Sequence, residues 1–252
     1  MPPITLHMVL ARQVATDLGV NALASQSGAY LLGATTPDIR VLTRQDRLST
    51  HFFDLDEHSH QDSVGNFFLQ HTHLTDPGLL NDETRAFVSG YVSHLVLDEQ
   101  YITGVYRPFF AAHEALGGKV RANVMDRLLQ FDLERNHYND PALKLDVCAA
   151  LGFSVENIQA GFVEPETLER WRVVSSDIAA RGIDWDRMRG MMTNHLKRSG
   201  IDEGTELETF LDSLPELLDA TMAHVTSTEV QAFLDRSTAA ARTAVARYLA
   251  CE

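Results

Sequence analysis

Cysteine is scarce in this chain. Cys148 and Cys251 are the two present in 252 residues, too few and too far apart for a disulfide framework or a thiolate metal knuckle. Basic residues are also short: 21 Lys and Arg stand against 35 Asp and Glu, leaving a net charge of −14. A surface of that sign repels phosphate backbones and anionic bilayers at long range, so neither a nucleic-acid partner nor polybasic membrane docking is expected. No run approaches the ~18 consecutive apolar residues that a spanning helix needs, so no integral membrane segment is expected. The opening MPPITLHMVLARQ lacks the basic start and apolar centre of a secretory signal, which makes the cytoplasm the expected location. Period-two alternation bounded by hairpin turns is missing, which argues against β architectures. No His is followed directly by Asp, so the tandem His-Asp phosphohydrolase signature is absent.

What is present is helical periodicity. Apolar residues recur at spacings of three and four over 5–18, 22–34, 60–73, 82–103, 119–137, 165–181, 184–198, 206–225 and 227–249. Gly19, the TTPD of 35–38, the TDPG of 75–78, Gly117-Gly118, the EPE of 164–166 and the RSG of 198–200 punctuate them. Asp184 and Ser227 stand where N-caps belong. The pattern predicts an all-α protein, one domain overall. A metal-site helical core over 1–138 would carry a C-terminal helical extension, 139–252, packed on it. Nine of the eleven histidines fall before residue 138, so polar chemistry is expected there. The late stripe of Leu207, Phe210, Leu211, Leu214, Leu217 and Leu218 would pair within the chain or with a second copy in a homodimer.

Within SGYVSHLVLDEQY, His94 and Asp98 stand four apart on one helix face, so an imidazole nitrogen and a carboxylate oxygen reach one point. That is half of a zinc site, or equally a core histidine hydrogen-bonded to its neighbour. His7 borders the apolar face of the first helix, and Pro37 imposes an extended turn that presents Asp38. His51 follows thirteen residues later, and each of these alone has an ordinary structural reading. FFDLDEHSH adds Asp54, Asp56, Glu57, His58 and His60, a polar turn or a further ligand source.

Taken in order, TLH, GATTPDI, TH and GYVSHLVLDE resemble the zinc-dependent phospholipase C family. That family is phospholipase C/P1 nuclease-like and includes the N-terminal part of glycosylphosphatidylinositol-specific phospholipase D. The resemblance covers roughly residues 3–103 and implies a multi-helix domain of that type, with extra C-terminal helices. It implies that Asp38, His51, His94 and Asp98 hold one zinc, and that His7 and a bridging Asp98 begin a second position. In the secreted relatives a mature N-terminal Trp completes that position, and no Trp stands near His7 here. The family's next His and its HxxxE pair fall on Gly104 and Gly118, and neither His113-Glu114 nor His137 reproduces them. One or two ions are therefore expected, zinc or another divalent metal.

The resemblance further implies phosphoester hydrolysis by a metal-activated water, with Asp38 both ligand and proton acceptor. His58 or His60 would be an additional ligand or acid/base, and Glu99 a support for the ligands. The substrate would be a small phosphorylated compound or a lipid. The competing reading is a catalytically silent helical protein that keeps a structural metal or buried polar cluster and serves as a scaffold.

Overall fold

A computed structural model of the protein describes residues 2–201 and 204–250, so Cys251 lies outside the described residues. Among the described residues there is no strand. The helices are α1 (Ile4–Leu18), α2 (Asn21–Ser25), α3 (Ser27–Gly33), α4 (Arg40–Thr43), α5 (Leu48–His51), α6 (Ser63–Gln70) and α7 (Asp82–Tyr101). They continue as α8 (Lys119–His137), α9 (Pro141–Ala150), α10 (Pro165–Ala180), α11 (Trp185–Arg198), α12 (Thr205–Asp212), α13 (Leu214–His224) and α14 (Ser227–Leu249).

The central element is α7. It buries residues on all sides, Phe87, Val88, Tyr91, Val92, Leu95 and Leu97 among them, as a helix enclosed by others must. Its neighbours are α3, α14 and α1. Asn81 caps it by accepting from Thr84 N, and Asp82 and Glu83 in the first turn complement the helix dipole. Two glycines allow the approach of α3. A methyl group at Gly33 would fall on the Phe87 carbonyl oxygen, and one at Gly90 on the Tyr30 carbonyl oxygen, 2.7 Å from Ala34 N. With no Cβ at either position the two backbones touch directly.

Several helix boundaries differ from the periodicity, each for a local reason. The span 22–34 is interrupted at Gln26, whose φ of −111° and ψ of 34° are not helical. The span 60–73 shortens to α6, with Asp62 accepting from Gly65 N as its cap. The span 206–225 breaks at Ser213 because Pro215, in the first turn of α13, has no N–H to donate and would collide with the preceding turn. Asp184 caps α11 as expected, but the cap of α14 is Thr226, one residue before Ser227. The turn after Gly33 is a 3-10 turn over Thr36–Ile39, not an extended one. Helix α9, capped by Asp140 and begun by Pro141, was not signalled by periodicity. Beyond Tyr101 the backbone loosens into a π-helical stretch, Ile102–Phe110, that accommodates Pro108. Among the described residues, no helix is long and apolar enough to cross a membrane.

The late apolar stripe is covered within the chain. Leu207, Leu211, Leu214, Leu217 and Leu218 are buried in the core, and Phe210 packs on it. The stripe thus pairs within the chain, the first of the two arrangements its pattern allows.

A buried polar relay ties α10 to the turn that carries Asp38. The Trp171 indole N–H donates to Thr35 Oγ1 at 3.1 Å, Ser175 Oγ lies 3.1 Å from the same oxygen, and Thr35 donates to Leu32 O at 2.9 Å. Trp171 is thus a core residue. Thr35→Val keeps the volume but strands the indole N–H, so a loss of about 1–3 kcal/mol is expected in urea unfolding, with Thr35→Ser close to wild type.

Candidate metal centre

Five side chains named from the sequence converge. His7 comes from α1, Asp38 from the 3-10 turn, His51 from the last residue of α5, and His94 and Asp98 from α7. The His7 and His94 rings stack with centroids 3.7 Å apart and planes 8° from parallel. His7 Nε2 lies 3.4 Å from Asp98 Oδ1, and His51 Nε2 lies 3.3 Å from Asp98 Oδ2 and 3.5 Å from Asp38 Oδ1. His94 Nε2 is 3.4 Å from His51 Nε2 and 3.9 Å from Asp98 Oδ2. Ligands ~2.0–2.2 Å from one tetrahedral ion stand about 3.3–3.6 Å from each other, which most of these separations match.

The tautomers sharpen the picture. His94 Nδ1 is 2.8 Å from Ala34 O, and a carbonyl oxygen can only accept, so Nδ1 carries the proton and Nε2 faces inward bare. Thr50 donates its hydroxyl proton to Arg47 O at 3.2 Å. The same hydroxyl oxygen therefore accepts from His51 Nδ1 at 2.8 Å, which turns His51 Nε2 toward the cluster. His94 Nε2 and His51 Nε2 face one another at 3.4 Å in a buried space, the separation expected of two ligands of one ion. Neither nitrogen of His7 has a hydrogen bond, and neither does Asp98 Oδ1, although all three atoms are buried. Native proteins rarely leave such groups unsatisfied. The donor set and its unsatisfied atoms fit a divalent metal. Two overlapping groups have the spacing to hold one, His7 with His94 and Asp98, and Asp38 with His51 and His94.

The electrostatics favour ligation. Burial, followed by His7, pulls the His94 imidazole down to about 3, so the ring is neutral at physiological pH. Burial pushes the Asp98 carboxyl up, but His7 beside it and the imidazoles of His94 and His51 outweigh that and hold it well below the usual range. Asp38 follows the same pattern: burial raises it, while His51 and then His94 bring it below its ordinary value. Its side chain is 15% exposed against 0% for His51 and 4% for Asp98, so Asp38 is where this cluster meets solvent.

Local backbone strain helps to aim His51. Phe52, directly after it, has a φ of 55°, a left-handed conformation that costs a β-carbon residue about 1–2 kcal/mol. Packing of the Phe52 ring against Phe67 and Tyr91 holds it there.

Other expected residues fall elsewhere. His58 and His60 are exposed on the loop before α6 and belong to neither group, because that loop is held outward by Gln61 and Arg107. Glu99 points away from the cluster and accepts from Ser63 N at 3.2 Å and Ser63 Oγ at 2.7 Å, so it anchors the start of α6. One residue the sequence did not suggest is present: Arg47. Its Nη2 donates to Asp98 Oδ2 at 2.8 Å and its Nη1 to Phe53 O at 3.0 Å. Nothing in VLTRQDRLSTH distinguishes this arginine from the exposed Arg44 three positions earlier.

Residues 6–99 match the family model described as zinc dependent phospholipase C. The matched span is less than half of the chain and contains all five candidate side chains. No curated protein and no solved structure matches the chain.

Proposed function

We propose that the protein is a zinc-dependent hydrolase of phosphoesters, with Asp38, His51, His94 and Asp98 as metal ligands and His7 at their edge. The observation that carries this reading is the pair of imidazole nitrogens facing each other between two ionised carboxylates. A divalent ion held there supplies Lewis acidity, lowering the pKa of water and polarising a phosphoryl oxygen.

The chain's own residues do the rest. Ala34 O and Thr50 Oγ1 fix the two ring orientations from behind, the arrangement that keeps a histidine basic toward a metal. Asp98 is held by Arg47 and stays ionised. Asp38, ionised and at the solvent edge, takes the proton that an incoming water gives up on attacking phosphorus. A cavity of about 370 Å³ near the C-terminal end of α7 is lined by Tyr101, Arg107, Lys119 and His113 together with the carboxylates Asp56 and Asp126, and none of His7, Asp38, His51, His94 and Asp98 lies on its wall. Val41, Leu48 and Leu55, 73%, 48% and 46% exposed, lie in the segments flanking Asp38 and His51 and would suit an acyl chain. With a net charge of −14, a zwitterionic phospholipid is preferred over one with a net negative charge.

The experiment is hydrolysis of phosphatidylcholine in neutral detergent micelles, run beside a soluble phosphodiester, with zinc-loaded wild type and Asp38→Asn. Wild type should cleave, and Asp38→Asn should lose about 10²–10⁴ in kcat, the range of a general base. A zinc-loaded wild type inert on every phosphoester would favour the second reading, a structural zinc in a silent helical scaffold. The near-complete burial of His7, His51, His94 and Asp98 supports that reading.

A further inference from the structure

We propose that the cavity at the end of α7, separate from the metal centre, binds a small zwitterion of the aminoalkyl phosphate class. It takes the ammonium group against Asp126 and the phosphate against Arg107, Lys119 and His113.

The first ground is a buried acid without a cation. Asp126, on α8, is 7% exposed and lies on the cavity wall. Among the described residues both of its hydrogen-bond partners are uncharged. The Tyr101 hydroxyl donates to Oδ1 at 2.6 Å, and the Gln130 amide to Oδ2 at 2.7 Å. Burial, followed by Asp126 itself, pushes the Tyr101 phenol well above its ordinary range, so it remains a donor. A buried carboxylate ordinarily has a cation beside it. Here the open space for one is the cavity, and each oxygen keeps a lone pair for a further N–H.

The second ground is a set of nitrogen donors on the same wall. Lys119 begins α8 two turns before Asp126, on the same face and ~10 Å away along the axis. Arg107 reaches the cavity from the π-helical stretch, a kind of helix that recurs at functional sites. Its Nη2 donates to Leu55 O at 3.2 Å and Glu57 O at 2.6 Å, and its guanidinium lies 5.4 Å from the Phe53 ring centroid. Those contacts order the group through one nitrogen and leave the others to a ligand. His113, from the 3-10 turn His113–Leu116, adds Nε2, a buried atom without a hydrogen-bond partner. Three donors from three elements suit a tetrahedral phosphate better than a flat carboxylate.

The third ground is exclusion. The wall carries two carboxylates, Asp56 and Asp126, beside the cations Arg107 and Lys119. A simple anion would meet the carboxylates, and a simple cation would meet Arg107 and Lys119. A ligand carrying both signs at its two ends satisfies both. A volume of about 370 Å³ is at the small end for ligand sites, which suits a headgroup-sized molecule.

The test is isothermal titration calorimetry of the full chain with O-phosphoethanolamine, beside ethanolamine and inorganic phosphate. Saturable one-to-one binding is expected, with either fragment about 10–100-fold weaker, the loss of one charge-assisted contact. Asp126→Asn and Lys119→Gln should each weaken binding by the same factor, with circular dichroism to check the fold. Lys119 is exposed, so Lys119→Gln keeps the test decisive should Asp126→Asn fail to fold. Wild type in excess chelator and the His94→Ala/Asp98→Ala double variant should both bind as untreated wild type does. Glycerophosphoethanolamine separates the sources: its exclusion marks a free phosphate monoester as the occupant, and equal binding marks a lipid headgroup. No binding by wild type would overturn the site, as would unchanged affinity in Lys119→Gln and Asp126→Asn. Binding abolished by chelator would overturn it too, and would credit the metal centre with holding the phosphate.

Discussion

Asp98→Ala should empty the metal centre and destabilise the metal-free protein at the same time. Asp98 faces His7 through one oxygen and His51, His94 and Arg47 through the other. A four-ligand zinc site is worth about 10–16 kcal/mol, so one ligand accounts for roughly 10²–10³-fold in affinity. The loss reaches further because Arg47 then becomes a buried cation whose carboxylate partner is gone. Removing one partner of a buried ion pair costs about 3–5 kcal/mol. Urea unfolding of chelator-treated protein should register that cost, while His94→Ala, which leaves the Arg47–Asp98 pair intact, should lose zinc with a smaller loss of apo stability. Equal stability losses in the two variants would mean that Arg47 finds compensation elsewhere. Added zinc should raise the melting temperature of wild type and not of Asp98→Ala, because only the former binds it in the folded state.

Gly90→Ala should be the most damaging single change that touches no candidate ligand. Alanine is ordinarily preferred in a helix interior by about 1 kcal/mol. Here the added carbon has no room, since the Tyr30 carbonyl oxygen occupies its place and Ala34 N lies 2.7 Å away. Backbone cannot rotate aside as a flexible side chain does, so α3 and α7 must separate. Overpacking of this kind costs about 1–3 kcal/mol and here should reach the upper end, net of the propensity gain. The same displacement lengthens the hydrogen bond from His94 Nδ1 to Ala34 O, which sits at the end of α3. Zinc affinity should therefore fall by about 10–100-fold, the usual penalty for losing a partner that orients a ligand. Gly33→Ala, which meets the Phe87 carbonyl oxygen from the opposite side, should behave alike. Denaturation midpoints and zinc titrations of both variants check this, and a stable Gly90→Ala with wild-type affinity would refute the close crossing.

Much of this site was legible before any coordinates, because its ligands sit where local rules apply. His94 and Asp98 are one helical turn apart, and that spacing alone brings their side chains together. His7, Asp38 and His51 are different. Their convergence is tertiary, and only the resemblance of four ordered motifs linked them to α7. Arg47 was not legible at all. It lies between Arg44 and Phe52, two positions where non-glycine residues adopt a positive φ that no propensity would suggest. His58 and His60 illustrate the reverse: a residue type suited to ligation, in a loop whose own hydrogen bonds hold it away. The all-α class followed from periodicity, whereas α9 and the break at Ser213 turned on a cap and a proline that periodicity averages over.

The most direct measurement is the metal content of the purified, untagged protein by elemental mass spectrometry, beside the His94→Ala/Asp98→Ala double variant. Facing imidazole nitrogens between ionised carboxylates predict at least one tightly held zinc in the wild type and none in the double variant. A wild type that is metal-free and cannot be loaded would contradict the centre, and would leave His7, His51, His94 and Asp98 as a buried polar cluster around Arg47.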